Sequence, residues 1–456
     1  MGKQIFKDNT TYSKEENSVK LNGKGSCVNL IKKFNGRTIS KINNEQDGKI
    51  IVWPAVCDDG NDDAENQILF DCVFDENSIS ELKTYNLIGF VGDGNNQIEI
   101  RTRFSEGDND PFLYRMLSVV LSCNLVDLKV GSGSDGALNL IVFLFSSLLR
   151  KAVNQGVYRK YVRREYNDSK VKGVIDVSRH IRYNYPSNGK IAYSTREYSY
   201  DNDVTQLIRH TIEHIRCSAF GKNILDADEK TKECIEKIIH VTPTYDKSKR
   251  RMVVNSNSKV SVHPYLTEYA PLQRLCLAIL RGDKMSYGDS KEKIKGFVID
   301  VAWLWEEYVA KLLSSTQLKH CTKQNSDYKL FTTSDGNLVQ QIVPDYLDET
   351  NTIVADAKYI PSLGQQDSLS AERASAIYYK TIMYMYRFGC DTGLLFYPYV
   401  NDTPETPKEY IIKEGCKLIK VGMSIPKIKD DFKLDTYIED LKGEENSFVA
   451  QIPRYN

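Results

Sequence analysis

The most constraining stretch of this chain is QIVPDYLDETNTIVADAKYI, residues 341–360. A polar turn, DETNT, separates two apolar, β-branched runs, one carrying Asp345 and the other Asp356 and Lys358. Strand side chains alternate faces with period two, so Asp356 and Lys358 share one face while Ala355, Ala357 and Tyr359 take the other. A hairpin paired about Asp348 and Ile353 brings Asp345 near Asp356, and two carboxylates at one spot suit Mg²⁺ or Mn²⁺, which favour oxygen ligands. Lys358 beside that cation would orient or deprotonate a water. Phosphodiester hydrolysis needs these parts: a cation to neutralise charge on the phosphorane oxygens, and a polarised water in line with the leaving oxygen. The competing reading is an edge hairpin with solvated charges, because ordinary composition supplies a PD followed by a [DE]xK by chance. Context bears on the choice, since a turn divides the runs and a Tyr-rich helical stretch follows from about Leu369 to Phe388.

The 456 residues allow two or three domains, and an apolar share of 41% suffices to bury cores. Lysine plus arginine equals aspartate plus glutamate at 61 each, so any surface for nucleic acid must be local. Ten cysteines, at positions 27, 57, 72, 123, 217, 234, 276, 321, 390 and 416, form no CxxC pair and no short-range Cys/His cluster, as expected of reduced thiols in a cytoplasmic protein. Lys3, Lys7 and Asp8 leave no apolar run of the signal-peptide kind. The segment ALNLIVFLFSSLL (137–149) is too short to span a bilayer and reads as a buried helix, so no membrane role is expected.

The expected architecture is α+β and multidomain. Residues 1–110 read as a β-rich amino-terminal domain, with KIIVWPAV, ILFDCVFD, LIGFVG and QIEIRTRF as short strands between Asn, Asp and Gly clusters. Its acidic loop CDDGNDDAEN (57–66) lacks the order of a calcium loop and reads as solvated. Residues 111–285 read as a helical connecting region, with amphipathic stretches at 114–121, 138–153, 204–218, 229–240 and 270–280. Residues 286–456 hold the paired acids.

Within the helical region, VYRKYVRREYNDSKVKGVIDVSRHIRYN (157–184) carries eight Lys/Arg against three acids, with four tyrosines interleaved. Basic plus aromatic is the composition that grips a phosphate backbone, which makes Arg159, Lys160, Arg163 and Arg164 candidate nucleic-acid contacts; a solvated helix face is the plainer alternative. GSGSDG (131–136) fits GxGxxG, but nothing acidic lies between Asp135 and Glu165 to meet a ribose, so a glycine turn before a buried helix is expected. His210 and His214, one helical turn apart, have no third ligand at a telling spacing and read as ordinary helix histidines. No GxxxxGK[ST] occurs, so the chain should not hydrolyse nucleotide by a P-loop of its own.

The order of these landmarks resembles the McrC family, the nuclease subunits of McrBC-type modification-dependent restriction systems, and the related LlaJI-type subunits. The resemblance spans LIGFVGDGNNQIEIRTRF, YRKYVRREYNDSKVKGVIDVSRHIRYN, REYSYDNDVTQLIRHTIEHI and EYAPLQRLCLAIL, then FVIDVAWLWEEYVAKLL through VPDYLD, VADAKY and GLLFYP. It implies a carboxy-terminal PD-(D/E)xK nuclease domain, a mixed sheet flanked by helices. In it Asp345 and Asp356 are metal ligands, the Ala357 carbonyl is a further one, Lys358 is the catalytic lysine, and Glu306 or its neighbour Glu307 is the helix carboxylate. Lys380 and Tyr384 stand where the family often has a glutamine four residues before a tyrosine, and Ala357 where it commonly has threonine; Lys380 and Tyr384 are candidate nucleic-acid contacts there. The resemblance also implies that the amino-terminal part docks on a separate ring-forming AAA+ GTPase, which recognises and translocates double-stranded DNA. Cutting both strands would need two nuclease domains, supplied by dimerisation or by two complexes meeting. The expectation is therefore a Mg²⁺-dependent endonuclease subunit, with a non-catalytic adaptor that only binds and stimulates the GTPase, or the nuclease of a site-specific system paired with a cytosine methyltransferase, as the alternatives.

Overall fold

The computed structural model describes residues 2–15, 21, 27–45, 49–54, 66–75, 78–93, 96–107, 109–121, 134–217, 225–226, 228–260, 263–282, 295–322, 328–350, 352–364, 371–400, 406–428 and 432–453. It is a mixed α/β chain with several separate sheets. Its contacts gather into two compact units: Met1–Glu45, Asn66–Asp127 and Val298–Asn456 form one, Gln46–Glu65 and Leu128–Phe297 the other. A division drawn along the chain at residues 110 and 285 is thus crossed by the first unit, which draws on both ends of the sequence. Residues 57–65 of the acidic loop (57–66) and 131–133 of the glycine turn (131–136) lie outside the described residues.

Of the expected amino-terminal strands, Phe70–Asp75, Leu87–Gly92 and Asn96–Arg101 form in the first unit, where β-branched and aromatic residues cluster. Gly2–Lys7 runs parallel to Asn96–Arg101, which pairs antiparallel with Leu87–Gly92. Thr11–Ser13, Ser78–Thr84 and Phe70–Asp75 make a second small sheet. Buried Asp8 anchors this region by an ion pair with Arg103 at 2.6 Å. The Arg103 guanidinium in turn lies 4.6 Å from the ring centroid of Tyr359, beside Lys358.

The carboxy-terminal part of this unit is a six-stranded mixed sheet. Helix α1 (Val301–Leu312), capped by Asp300, precedes β1 (Leu318–His320), β2 (Tyr346–Asp348), β3 (Ile353–Ala357), helix α2 (Ala371–Phe388), β4 (Thr392–Tyr399), β5 (Lys408–Lys413), β6 (Cys416–Ser424) and helix α3 (Leu434–Ala450). The strand order is β1-β2-β3-β4-β6-β5. β3, β4 and β6 run parallel, and the remaining pairings are antiparallel. Every residue of β3 and β4 is buried, as central parallel strands covered on both faces require. α2 is the crossover between them, packing Tyr384 and Met385 against Leu347 and Val354, and Ile377 against Leu395 and Leu418. The approach is close enough that a Cβ on Gly393 would stand 2.8 Å from the Met385 sulfur and 3.1 Å from Thr381, so β4 needs glycine there.

QIVPDYLD is not one strand. Leu338–Gln341 pairs with Lys329–Thr332 in a separate hairpin, the chain leaves the ladder over 342–345, and β2 begins only at Tyr346. Pro344 accounts for the break, since it has no N–H to give a ladder.

The second unit has the helices expected of it, at Ser134–Asn154, Asp203–Arg216, Glu229–Val241 and Tyr269–Gly282. Residues 157–184 depart from the helical texture. Lys160–Asp168 and Ile191–Ser199 form a long antiparallel pair with the short strand Val174–Ile175 beside them, and only Val177–Asn184 is helical. Tyr161, Val162, Arg163, Arg164, Glu165 and Tyr166 are β-branched, aromatic or long side chains that alternate between an exposed and a half-buried face, and that period of two prevails over helix. No helix among the described residues is long and apolar enough to cross a membrane.

Candidate active site

β2 and β3 pair in the register Tyr346 with Ala355 and Leu347 with Val354, so Asp345 falls opposite Asp356. The turn is braced by Asp348: its Oδ1 accepts from the Ile353 N–H at 2.8 Å, and its Oδ2 accepts from the Thr352 hydroxyl at 2.8 Å and from the Thr350 hydroxyl. Asp345 closes the open end, its Oδ2 accepting from the Ala357 N–H at 2.7 Å. The ladder continues past β3, where the Lys358 N–H donates to the Phe396 carbonyl at 2.7 Å and fixes the root of the lysine side chain.

Asp356 is fully buried on β3 and meets two ammonium groups: Lys358 Nζ is in contact with Oδ2, and Lys380 Nζ lies 3.5 Å from Oδ1. The same Lys358 Nζ is 3.5 Å from the Ala357 carbonyl oxygen. Burial pushes the Asp356 carboxyl up, but the charges of Lys358 and Lys380 outweigh it and hold the group below the usual carboxylate range. Asp345 goes the other way, raised well above that range by burial and by the neighbouring charges of Asp356 and Glu306. At low pH the pair therefore keeps its proton on Asp345. For Lys380, burial lowers the pKa while Asp356 and Asp345 more than restore it, so the group stays cationic.

Glu306 and Glu307 lie on α1 at the edge of this group. The Glu306 carbonyl accepts the Tyr346 hydroxyl at 2.5 Å, and its carboxylate stands 3.1 Å from His320 Nε2, with Glu307 3.9 Å from His320 Nδ1. Burial acts to lower the His320 pKa, but its hydrogen bond to the Glu306 carboxylate and the charges of Glu307 and Glu306 outweigh it and raise the group above its ordinary value. Neither His320 nor Tyr346 stands out in the sequence. β1 brings His320 into place by pairing it with Tyr346, a relation that no local spacing announces.

Tyr384 is buried, with its hydroxyl donating to the Val343 carbonyl at 2.9 Å and the Lys380 ammonium 5.3 Å from its ring centroid. It braces the loop before Asp345 and steers Lys380. In the second unit, Lys160 is paired with Asp203 at 2.7 Å, and Arg164 with Glu197 at 3.6 Å and Asp201 at 3.8 Å. Arg159 and Arg163 are exposed. His210 is buried against the Tyr245 ring, its pKa lowered to about 4 chiefly by burial, as suits a helix histidine facing the core.

Among the described residues no three His, Cys, Asp or Glu side chains gather as a metal cage. Asp345, Asp356 and the Ala357 carbonyl nevertheless fit Mg²⁺ or Mn²⁺, because such ions take hard oxygen donors and are commonly held by one or two carboxylates with waters completing the shell. The Lys358 ammonium, resting on both Asp356 and the Ala357 carbonyl, marks the spot where positive charge is wanted.

A family model described as the McrBC 5-methylcytosine restriction system component matches residues 82–398. No curated protein matches the chain. Among solved structures, it is similar to a chain of the refined half-complex from the tetradecameric assembly of Thermococcus gammatolerans McrB AAA+ hexamers with bound McrC. That match has 15% identity over 98% of this chain and 100% of the other, with a TM-score of 0.46. A second match, to the Thermococcus gammatolerans McrBC complex, has 14% identity over 69% of this chain and 87% of the other, with a TM-score of 0.34.

Proposed function

The chain belongs to the family of McrBC 5-methylcytosine restriction system components, and on that premise we propose that it is the DNA-cleaving subunit, a Mg²⁺-dependent endonuclease of the PD-(D/E)xK kind. The observation that carries the proposal is the β2–β3 register, which sets Asp345 opposite Asp356 and leaves Lys358 and Lys380 in ionic contact with Asp356. Asp345, Asp356 and the Ala357 carbonyl would hold the cation, which when bound neutralises charge on the scissile phosphate and polarises a water.

The protein's own groups do the rest. Lys358, rooted on the β3 ladder, orients the attacking water. Lys380 stays charged and meets a phosphate oxygen, a part that the glutamine common in the family would play by hydrogen bonding alone. Both ammoniums face the negative charge that builds in the transition state, where fixed charges in a water-poor site are most effective. Asp345 must ionise to bind a cation, so binding the cation would release its proton.

A family that is by name one component of a system, and a sequence with no P-loop, support a partner that supplies nucleotide hydrolysis. We assign that role to an AAA+ GTPase ring of the McrB type, with double-stranded DNA as the shared substrate. The test is cleavage of methylated and unmethylated plasmid by wild type and Asp356→Asn, in Mg²⁺ or EDTA, with and without the AAA+ partner and GTP. Cutting that requires both Mg²⁺ and Asp356 is the expected result. Stimulated GTP hydrolysis without any metal-dependent cutting by wild type would instead make the chain an adaptor.

A further inference from the structure

The strand pair of the second unit has two faces of opposite character. On the half-buried face, each cation is neutralised: Lys160 by Asp203, and Arg164 by Glu197 and Asp201. Tyr166 on that face stacks on Tyr193 and donates to Glu197 at 2.7 Å.

The outer face is built differently. The register sets Tyr161 opposite Tyr198 and Arg163 opposite Arg196, with Arg159 and Tyr200 continuing the same rows. Tyr161, Tyr198 and Tyr200 are 58%, 48% and 41% exposed, a large aromatic area left in water where a structural ring would be covered. These rings are held in place. Tyr161 and Tyr198 lie with centroids 5.0 Å apart. The Arg159 guanidinium is 4.6 Å from the Tyr198 centroid and 4.3 Å from that of Tyr200, and Arg196 is 5.0 Å from that of Tyr161. Arg159, Arg163 and Arg196 form no ion pair among the described residues. The one acid in the rows, Glu165, is 3.2 Å from Arg179.

From this face we infer a binding platform for single-stranded nucleic acid, made by Arg159, Tyr161, Arg163, Arg196, Tyr198 and Tyr200. The inference rests on reading the chain as a protein that acts on DNA, and adds to it the strand state that this surface accepts. Three guanidiniums without an acidic partner complement phosphates, and three partly exposed rings offer their uncovered surface for stacking to bases. A duplex keeps its bases stacked on each other, so a flat aromatic face gains contact only from an unpaired strand. Holding the rings with arginines before binding lowers the cost of ordering them.

The experiment is fluorescence anisotropy of labelled (dT)15 and of a blunt duplex against the full chain in EDTA, where no cleavage competes. Tyr161→Ala with Tyr198→Ala should weaken (dT)15 binding by roughly tenfold or more per ring, the range found for lost base stacking. Tyr198→Phe, which keeps the ring, should bind as wild type. Replacing all three arginines by glutamine should flatten the dependence of log affinity on log salt by about 2, the slope expected for three phosphates on a single strand. Thermal melts of the same variants should overlay wild type, because every altered side chain is exposed. Unchanged (dT)15 affinity in both sets, equal losses on duplex and single strand, or a loss seen only in binding to the AAA+ partner would each overturn the inference. The Mg²⁺-dependent plasmid assay is independent of this measurement, so failure here leaves the nuclease reading standing.

Discussion

Replacing Asp348 tests whether the turn, rather than the carboxylates themselves, builds the site. Its carboxylate accepts from the Ile353 N–H, the Thr352 hydroxyl and the Thr350 hydroxyl, while the residue is only 3% exposed. Asp348→Ala removes three acceptor contacts and leaves the Ile353 N–H without its partner. Net contributions near 1 kcal/mol for each bond, with the cost of a buried orphan donor, put the loss at about 2–4 kcal/mol. For a unit of this size that lowers the melting midpoint by about 4–8 °C. Asp348→Asn keeps one acceptor oxygen for Ile353 and should fall between wild type and alanine. The folded-state pKa of Asp348 is lowered: burial acts to raise it, and the hydrogen bonds from Thr350, Ile353 and Thr352 win. Its contribution is therefore complete above the ordinary value of 3.8 and is lost as pH falls through the lower folded value, so the gap between wild type and Asp348→Asn closes only in strong acid. The assays are melting followed by circular dichroism and Mg²⁺-dependent plasmid cleavage. Because the turn sets the register that opposes Asp345 to Asp356, cleavage should drop with Asp348→Ala although the residue touches neither substrate nor cation. A variant that melts within about 1 °C of wild type and cuts at the wild-type rate would refute the reasoning.

Two further outcomes follow from charge and burial. Asp345 has a raised folded-state pKa, so its effect on the metal-free protein is favourable while it is protonated and is lost as pH rises through that value. Asp345→Asn should then melt above wild type in EDTA at pH 8, match it in acid, and gain nothing from added Mg²⁺; a lower melting point in EDTA at pH 8 would contradict the rise that burial and the charges of Asp356 and Glu306 impose. Glu445 on α3 binds Arg115 through two 2.7 Å bonds and accepts the Tyr308 hydroxyl from α1 at 2.5 Å. Glu445→Gln breaks a largely buried pair from one side and should cost about 3–5 kcal/mol, read by chemical denaturation, and a loss below about 1 kcal/mol would show the pair to be no stronger than a surface one.

The sequence by itself determined the hairpin. Polar DETNT between β-branched runs specifies a turn, a turn specifies a register, and the register alone sets Asp345 opposite Asp356 with Lys358 beyond. The helices of the second unit were legible too, because amphipathic periodicity is local. The strand edges were less so, since Pro344 ends the ladder inside a run that reads as continuous. In residues 157–184 the count of Arg and Tyr masked the period of two, and Lys160–Asp168 proved to be a strand. Only the tertiary structure decided what those strands meet. Arg196, Tyr198 and Tyr200 complete the face begun by Arg159 and Tyr161 through antiparallel pairing across a long connection, as His320 joins Glu306 by lying in the strand next to β2. The same holds for the unit that joins Asp8 and Arg103 near the amino terminus to Tyr359 beside Lys358. Local pattern encodes which face of an element is apolar. Which distant element covers that face is settled by packing and charge compensation among residues far apart in the chain, and no window of sequence contains both partners.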